Sequence, residues 1–324
     1  MTSRRRALIG LTALCAAAAH GQGLARAVRV GGLSAAVPRE SPLWAALEQR
    51  LREHGYTEGR NLVFEFRNAE GQFERLPALA AELVRTRPDV IVVTGPEVSI
   101  RAAKEAAGAI SVVMIAIDFD PVAAGLIKSL QRPGANMTGL SAQQIELTTK
   151  RLELIKETLP RAQRIAVLSN LSTIDQLAAI RHAAPRFGVT IQAVELGIPP
   201  HDYAAILKNA KHNGADALFV LSAGIFFRDR AQIAQQSLKQ AIPGAYSQRE
   251  FTEEGGLLAY GVNLSELFGR AADYVDRILK GASPANLPVE QPTKFELVIN
   301  LKTAKSLGIE VPRSILLRTD RMIE

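Results

Sequence analysis

The sequence predicts an α/β protein with two doubly wound lobes, each built on a parallel sheet, and a hinge between them. The first observation is an internal repeat, in which three landmarks return in the same order about 130 residues later. The landmarks are strand-like runs at 28–34 and 164–170, glycines at 55 and 188, and apolar strands at 88–94 and 215–221. The second observation is that short apolar runs alternate with longer helical patterns, which is typical of a parallel sheet covered by helices. Two similar lobes place a cleft between them, and such clefts are preferred binding sites for small molecules.

The first lobe begins with a predicted strand at 28–33 and a helix at 43–54. Ser41 is placed to cap that helix, Pro42 stands at its first position, and Gly55 ends it. The following elements are predicted strands at 62–67, 90–94 and 111–117, and predicted helices at 73–85, 96–107 and 122–130. The strand at 90–94 is wholly apolar apart from its last residue, which favours a sheet that is buried on both faces. Residues 137–140 lead to the second lobe.

The second lobe opens with a long predicted helix at 143–159. Its strands are predicted at 165–168, 190–194, 217–221, 244–247 and 257–260, and its helices at 174–187, 203–211 and 227–240. A helix at 263–280 is expected to return to the first lobe, and residues 281–292 read as a connector because proline and glycine interrupt them. Residues 295–300 are expected to dock back on the second lobe. The Rossmann-like lobes are therefore 28–141 plus 263–290 and 142–262 plus 291–324, with hinge crossings near 140–141, 261–262 and 288–292.

The N-terminus predicts export. Three arginines at 4–6 precede an uncharged run at 7–19, which is too short to span about 30 Å of hydrocarbon as a helix. Ala25 and Ala27 then supply the small residues of a cleavage site, so residues 1–27 are predicted to be a secretory signal peptide. The arginine pair also resembles a twin-arginine signal, although the Sec route is favoured.

The single cysteine, Cys15, lies inside the signal peptide. A lipid anchor needs a small residue just before the cysteine, and Leu14 occupies that place, so a free periplasmic protein is favoured over a lipoprotein. Without Cys15 the mature chain has no disulfide and no thiolate metal site. The net charge of the whole chain is +7, but processing removes four arginines and no acid, so the working protein is much less basic. No Lys/Arg cluster with interleaved aromatic residues indicates nucleic-acid binding. We expect no cofactor, no metal and no nucleic-acid partner, and a monomer.

Candidate ligand contacts follow from topology, because ligands of doubly wound sheets lie beyond the carboxyl ends of the strands. In the first lobe this rule selects Ser34, Thr94, Gly95, Asp118, Asp120 and Ser141. In the second lobe it selects Asn170, Ser222, Arg249, Glu250 and Tyr260. Hydroxyl groups and helix N-termini are expected to meet the charged end of a ligand. Either Arg249 and Glu250 or the pair Asp118 and Asp120 would complete the site, since arginine grips carboxylates and acids attract ammonium groups.

Structural alternatives exist for each of these residues. The Ser, Thr and Asn side chains are equally suited to capping the helices that follow the strands. Asp118 and Asp120 are compatible with a solvated turn, and Arg249 with Glu250 is compatible with a surface ion pair. A core position is favoured over a ligand-stacking role for three aromatic residues, Phe226, Phe227 and Phe251.

Enzyme signatures are missing from the sequence. The five histidines fall in no metal-binding or catalytic-triad spacing. No Walker or Rossmann phosphate loop and no Gly-x-Ser-x-Gly element is present. These absences disfavour an exported enzyme.

Several segments carry a family resemblance. The run Gly-Tyr-Thr-Glu-Gly-Arg-Asn at 55–61 resembles a signature of substrate-binding proteins of ABC transporters, as do the segments at 76–84, 247–251, 255–261 and 292–305. The likeness covers nearly the whole mature chain in family order. It implies a periplasmic-binding-protein type I fold, with capture of a solute and its delivery to a membrane permease. Relatives bind amino acids, including aromatic ones, but the family has no single ligand motif to transfer.

The resemblance indicates the role of the protein but not the identity of its ligand. An amino acid or an aromatic carboxylate fits best as that ligand. A sensory module that presents its ligand to a membrane receptor would have the same sequence features. A transcription regulator is disfavoured, because it needs a helix-turn-helix where this chain has an export signal.

Overall fold

The computed structural model describes residues 26–142 and 144–324 as two α/β lobes. The predictions made for residues 1–25, including most of the signal peptide and Cys15, lie outside the described residues. Within the described ranges, no helix is both long enough and apolar enough to cross a membrane.

The first lobe contains a wholly parallel five-stranded sheet. Its elements are β1 (Val28–Ser34), α1 (Pro42–Glu53), β2 (Leu62–Asn68), α2 (Leu76–Arg85), β3 (Val90–Gly95), α3 (Glu97–Ala107), β4 (Ser111–Ala116) and β5 (Met137–Ser141). The strand order is β2-β1-β3-β4-β5. Side chains of α2 and α3 pack on one face of the sheet and those of α1 on the other. The predicted cap is present, since the Trp44 amide donates to Ser41 Oγ over 3.4 Å.

The second lobe repeats this arrangement and extends it. Its elements are α4 (Gln144–Thr158), β6 (Arg164–Ser169), α5 (Ile174–Ala183), β7 (Thr190–Glu195), α6 (Tyr203–His212), β8 (Ala217–Val220), α7 (Gly224–Arg228), α8 (Arg230–Lys239), β9 (Gly244–Tyr246), α9 (Glu250–Glu253), β10 (Leu258–Gly261), α10 (Leu264–Leu279), β11 (Glu296–Asn300), α11 (Leu301–Ser306), α12 (Arg313–Leu316) and β12 (Arg321–Ile323). The sheet order is β7-β6-β8-β9-β10-β11-β12. Strands β6 to β10 therefore repeat the order of β1 to β5, which confirms the predicted fold class.

The chain passes between the sheets three times, at the ends of β5 and β10 and before β11. Helix α10 leaves the second lobe and packs against α1 and against β3, β4 and β5. The returning segment then runs beside the first crossing, where the Ser141 amide donates to the Glu290 carbonyl over 3.0 Å. Adjacent crossings of this kind suit a hinge. The predicted lobe boundaries themselves stay a prediction.

Three predictions about individual elements were wrong. Residues 122–130 form turns instead of a helix, because Gly125 adopts a φ of 69° and Lys104 binds the carbonyls of Gly125 and Leu126. The helix predicted at 227–240 begins earlier and is interrupted at Asp229. The second sheet is not wholly parallel, since β11 runs antiparallel to β10, and the short strand β12 was not predicted.

Candidate ligand-binding site

An interlobe cavity of about 210 Å³ lies at the carboxyl ends of the strands of both lobes. In the first lobe the residues at or after the ends of β1, β2, β3 and β4 reach it, and in the second lobe those after β6, β7, β8 and β9 do. The repeated topology explains this convergence, because equivalent strand ends of the two sheets face each other across the cleft.

The first lobe supplies a polar floor. Ser34 and Thr94 both line the cavity and are register partners on the adjacent strands β1 and β3. Ser34 is fully buried, and its Oγ has no hydrogen-bond partner. A buried hydroxyl that is left unsatisfied costs free energy, typically about 1–3 kcal/mol. Such a group inside a cavity is suited to a ligand that supplies the missing partner.

Asp118 is the main electrostatic feature of the cavity. Its side chain is 6% exposed, and its Oδ1 has no hydrogen-bond partner. Burial raises the pKa of the Asp118 carboxyl well above its ordinary value, and the nearby charge of Asp175 raises it further. Among the described residues that line the cavity, Glu74 and Asp118 are the charged ones, and none is Arg, Lys or His. The cavity is therefore suited to a cationic group and poorly suited to an uncompensated anion.

The second lobe contributes polar groups that are already ordered. Gln176 binds the backbone of Ser222 twice, through its amide nitrogen and its amide oxygen, at 2.9 Å each. Gln248 Nε2 donates to Ser222 Oγ over 3.0 Å. Asn170 caps the 3-10 turn Leu171–Thr173, so the capping interpretation holds for a residue that also lines the cavity. These bonds fix the side chains in place before any ligand arrives.

Apolar side chains form the rest of the cavity wall. They come from both lobes and include Val37, Leu43, Phe73, Ile117, Leu171, Leu196, Ile198, Ile225, Phe227, Leu264 and Phe268. The lobes touch beside this wall, where a Cβ atom at Gly224 would lie 3.3 Å from Val37 Cγ2. At Gly71 a Cβ atom would lie 3.3 Å from Ile225 Cδ1. Glycine at these two positions permits the close approach of the lobes.

The structure brings six of the sequence-predicted site residues together around the cavity: Ser34, Thr94, Gly95, Asp118, Asn170 and Ser222. Two other predicted residues of the first lobe lie outside it. Asp120 is exposed and caps a turn through the Val122 amide at 2.8 Å, which is the solvated-turn alternative. Ser141 is buried at the first crossing, where its amide binds the Glu290 carbonyl.

The remaining predicted residues also lie outside the cavity, beside the hinge or in α9. Arg249 pairs with Glu296 over 3.4 Å. Tyr260 lies within β10, not after it, and contacts Phe295. Glu250 is buried in α9, where burial raises the pKa of its carboxyl. The rule that ligands lie beyond the carboxyl ends of the strands, called the strand-end rule below, fails for Tyr260, because the chain continues from β10 into a crossing between the lobes.

Sequence reasoning missed the apolar wall and selected neither Gln248 nor Ser172. Phe73 and the residues after β7 carry no polar signal, so nothing in the sequence separates them from core residues. Phe227 is 2% exposed and borders the cavity, whereas Phe226 and Phe251 belong to the core, as the sequence favoured. No group of three or more His, Cys, Asp or Glu residues suited to a metal ion occurs in the described part of the chain.

Known proteins resemble this chain over most of its length. A tyrosine-binding protein of Clostridioides difficile is 27% identical over 263 residues, which are 80% of this chain and 74% of that protein. A Streptococcus pneumoniae ABC domain in complex with L-Trp is 25% identical, covers 91% of this chain and 99% of its own, and superposes with a TM-score of 0.79. A conserved domain protein of Vibrio cholerae is 26% identical, covers 92% of this chain and all of its own, and has a TM-score of 0.80.

The family model described as ABC transporter substrate binding protein matches residues 43–323. This match spans most of both lobes and includes residues on each side of the cavity. The structure neighbours have the same two-lobed arrangement, as expected for the type I periplasmic binding fold. The chain therefore belongs to the substrate-binding proteins of ABC transporters.

Proposed function

We propose that this protein is the extracytoplasmic receptor of an ABC importer and that its cargo is an amino acid with an aromatic side chain. The observation that carries the proposal is the interlobe cavity, which has two unsatisfied polar atoms, Ser34 Oγ and Asp118 Oδ1, and a wall of apolar side chains. The names of two relatives, a tyrosine-binding protein and a domain crystallised with L-Trp, support the same class of ligand.

The polar floor would hold the charged groups of the amino acid. Asp118 would accept hydrogen bonds from the ammonium group, whose charge offsets the cost of burying a carboxylate. The hydroxyls of Ser34 and Thr94 would donate to the carboxylate near the N-terminus of α3, where backbone amides favour an anion. In the second lobe, Asn170 and Ser222 would complete the polar contacts.

The apolar wall would enclose the aromatic ring. A cavity of about 150 Å³ is enough to bind benzene, so about 210 Å³ accommodates a ring with a short substituted tail. Phe73, Phe227 and Phe268 line the cavity, and aromatic rings pack favourably against one another. Contacts from both lobes would favour the closed form, and the permease would recognise that form. Such a receptor performs no chemistry on its cargo.

Calorimetry on the mature chain, residues 28–324, tests the proposal. L-Tyrosine, L-tryptophan, L-phenylalanine and 4-hydroxybenzoate form the panel, with L-glutamate as a polar control. We expect one-to-one binding of at least one aromatic amino acid with a Kd of about 1 µM or lower. Binding of none of the three aromatic amino acids would contradict the proposed cargo.

Export is tested separately. After expression of the full chain in a Gram-negative host, we expect the protein in the periplasmic fraction, with Val28 as its first residue. An uncleaved chain in the cytoplasm would contradict the extracytoplasmic role, whatever the calorimetry gives. Co-purification with an ABC permease would support delivery, whereas co-purification with a histidine kinase would favour a sensory role.

A further inference from the structure

A second chamber adjoins the ligand cavity at the mouth of the cleft. Its volume is about 410 Å³, and it shares Phe73, Pro96, Asp118, Leu171 and Ser172 with the inner cavity. The remaining lining residues come from both lobes: Glu97, Val98 and Phe119 from the first, and Ile174 and Asp175 from the second. Asp118 therefore stands at the passage between the two chambers.

The charged residues around both chambers are all acidic. They are Glu74, Glu97, Asp118 and Asp175, and no Arg, Lys or His is among the described lining residues. Glu97 pairs with Arg101 along α3. The ion pairs of the described residues include none with Glu74, Asp118 or Asp175. This acidic entrance contrasts with a chain that has 39 basic residues against 32 acidic ones, so its charge is local.

Asp118 and Asp175 face this entrance from opposite lobes. Asp118 follows β4 of the first lobe, and Asp175 lies in the first turn of α5 in the second. They are close enough for the charge of Asp175 to act on the pKa of Asp118. Like charges on the two lobes of a cleft repel each other and therefore oppose closure. A cation between them converts that repulsion into two attractions.

We propose that the ammonium group of the ligand is bridged between Asp118 and Asp175, so that an amine is the feature of the ligand that allows the lobes to close. This inference rests on the proposed function and deepens it, because it makes the amine essential and the carboxylate dispensable. Asp118 is buried and lines both chambers, and its Oδ1 has no hydrogen-bond partner. The exposed apolar side chains of Val98, Leu171 and Ile174 flank the acids. Closure would bury them and strengthen the ion pairs by excluding water.

A matched trio of ligands tests the selectivity. L-Tyrosine carries both charged groups, tyramine carries the amine alone, and 3-(4-hydroxyphenyl)propionate carries the carboxylate alone. We expect tyramine and L-tyrosine to bind and the propionate to bind at least about 100-fold more weakly. The corresponding trio of L-tryptophan, tryptamine and indole-3-propionate checks the result with a larger ring. Propionates that bind as tightly as the amines would overturn the inference.

The variant Asp175→Asn tests whether the carboxylate of the second lobe contributes to binding the amine. We expect it to weaken tyramine binding about tenfold and to flatten the decrease of affinity with rising ionic strength, since salt screens exposed charges. Glu146→Gln is the control, because Glu146 is an exposed acid in the first turn of α4 and lines neither chamber. If L-tyrosine binds and Asp175→Asn changes nothing, the bridging inference fails while the proposed function stands. If no member of either trio binds, both fail.

Discussion

Asp118 places a carboxyl group where water is nearly excluded and no hydrogen-bond donor compensates one of its oxygens. Such a group destabilises the folded protein when it ionises, because its charge is lost from water on folding. Retaining it costs stability, and a cationic ligand would recover that cost. Trade-offs of this kind between stability and function are common at binding sites.

The variant Asp118→Asn should therefore be more stable than the wild type near pH 7 in the absence of ligand. The folded-state pKa of Asp118 is raised, so ionisation costs stability as the pH rises through the unfolded value of about 3.9 and the higher folded value. Below about pH 3 the carboxyl is mostly protonated in both states, and the advantage of the variant should disappear. Thermal melts at both pH values measure this effect, with about 2–4 °C expected for each 1 kcal/mol of relief.

The same variant should lose affinity for aromatic amino acids by about 100-fold or more, because it removes the charge that faces the ammonium group. Asp120→Asn is the matched control, since Asp120 lies two residues away, is exposed and binds only turn amides. Calorimetry of both variants decides the point. Equal losses in the two variants would mean that the effect is not specific to the cavity.

Topology, more than residue chemistry, made part of the site predictable. The strand-end rule selected Ser34, Thr94 and Asp118 with no ligand motif, because the carboxyl ends of parallel strands meet at one edge of a sheet. The rule could not select Phe73 or Phe227, because an apolar side chain in a cavity and one in the core look the same in the sequence. Whether the selected residues bind the ligand stays a prediction that the variants above test.

At the scale of elements, the N-terminus of α10 connects two crossings of the chain. Asn263 caps this helix by accepting from the Glu266 amide at 3.0 Å, and its Nδ2 donates to Glu296 Oε1 at 3.2 Å. Glu296 begins β11 and also pairs with Arg249. One side chain thus joins the second crossing to the third.

Asn263→Ala should lower the free energy of unfolding by about 1 kcal/mol, the usual cost of losing a helix cap. Chemical denaturation followed by circular dichroism measures the change. Asn263→Asp keeps a capping oxygen but places a carboxylate beside Glu296, so its stability should improve with added salt. An alanine variant as stable as the wild type would show that this cap contributes nothing.

Helices and strands were predicted correctly where the capping residues and the apolar pattern of the local sequence agreed. They were predicted wrongly where tertiary contacts determine the conformation. Ser41, Pro42 and Gly55 are sufficient to place the ends of α1, because capping and glycine conformation act locally. The apolar pattern at 122–130 resembles a helix, but its carbonyls bind Arg101 and Lys104 from α3. The sequence of residues 122–130 does not reveal these contacts, because the side chains that make them lie on α3.

At the scale of the whole molecule, the fit between the lobes depends on the absence of a side chain at Gly224. A Cβ atom there would also lie 3.4 Å from Ala36 Cβ, so Ala36 and Val37, in the loop between β1 and α1, both contact this position. Binding energy drawn from two lobes requires that they meet closely around the ligand.

Gly224→Val should hold the lobes apart and weaken ligand binding by about tenfold or more. Small-angle X-ray scattering at saturating ligand should show no decrease in the radius of gyration, whereas the wild type should contract. Gly269→Val is the control, because a Cβ atom at Gly269 meets nothing within 4 Å. Contraction of the Gly224 variant to the wild-type radius would refute this role for the contact.

The return of α10 to the first lobe has a consequence for synthesis. Arg50 on α1 binds Asp273 on α10 across 223 positions of sequence, and the two helices share one core cluster. A ribosome must therefore release almost the whole chain before the N-terminal lobe has all of its parts. Domains usually fold in turn as they emerge, but the packing of the N-terminal lobe is complete only after α10 has been synthesised. Such a delay is compatible with the export that we propose, in which the chain crosses a membrane before it folds.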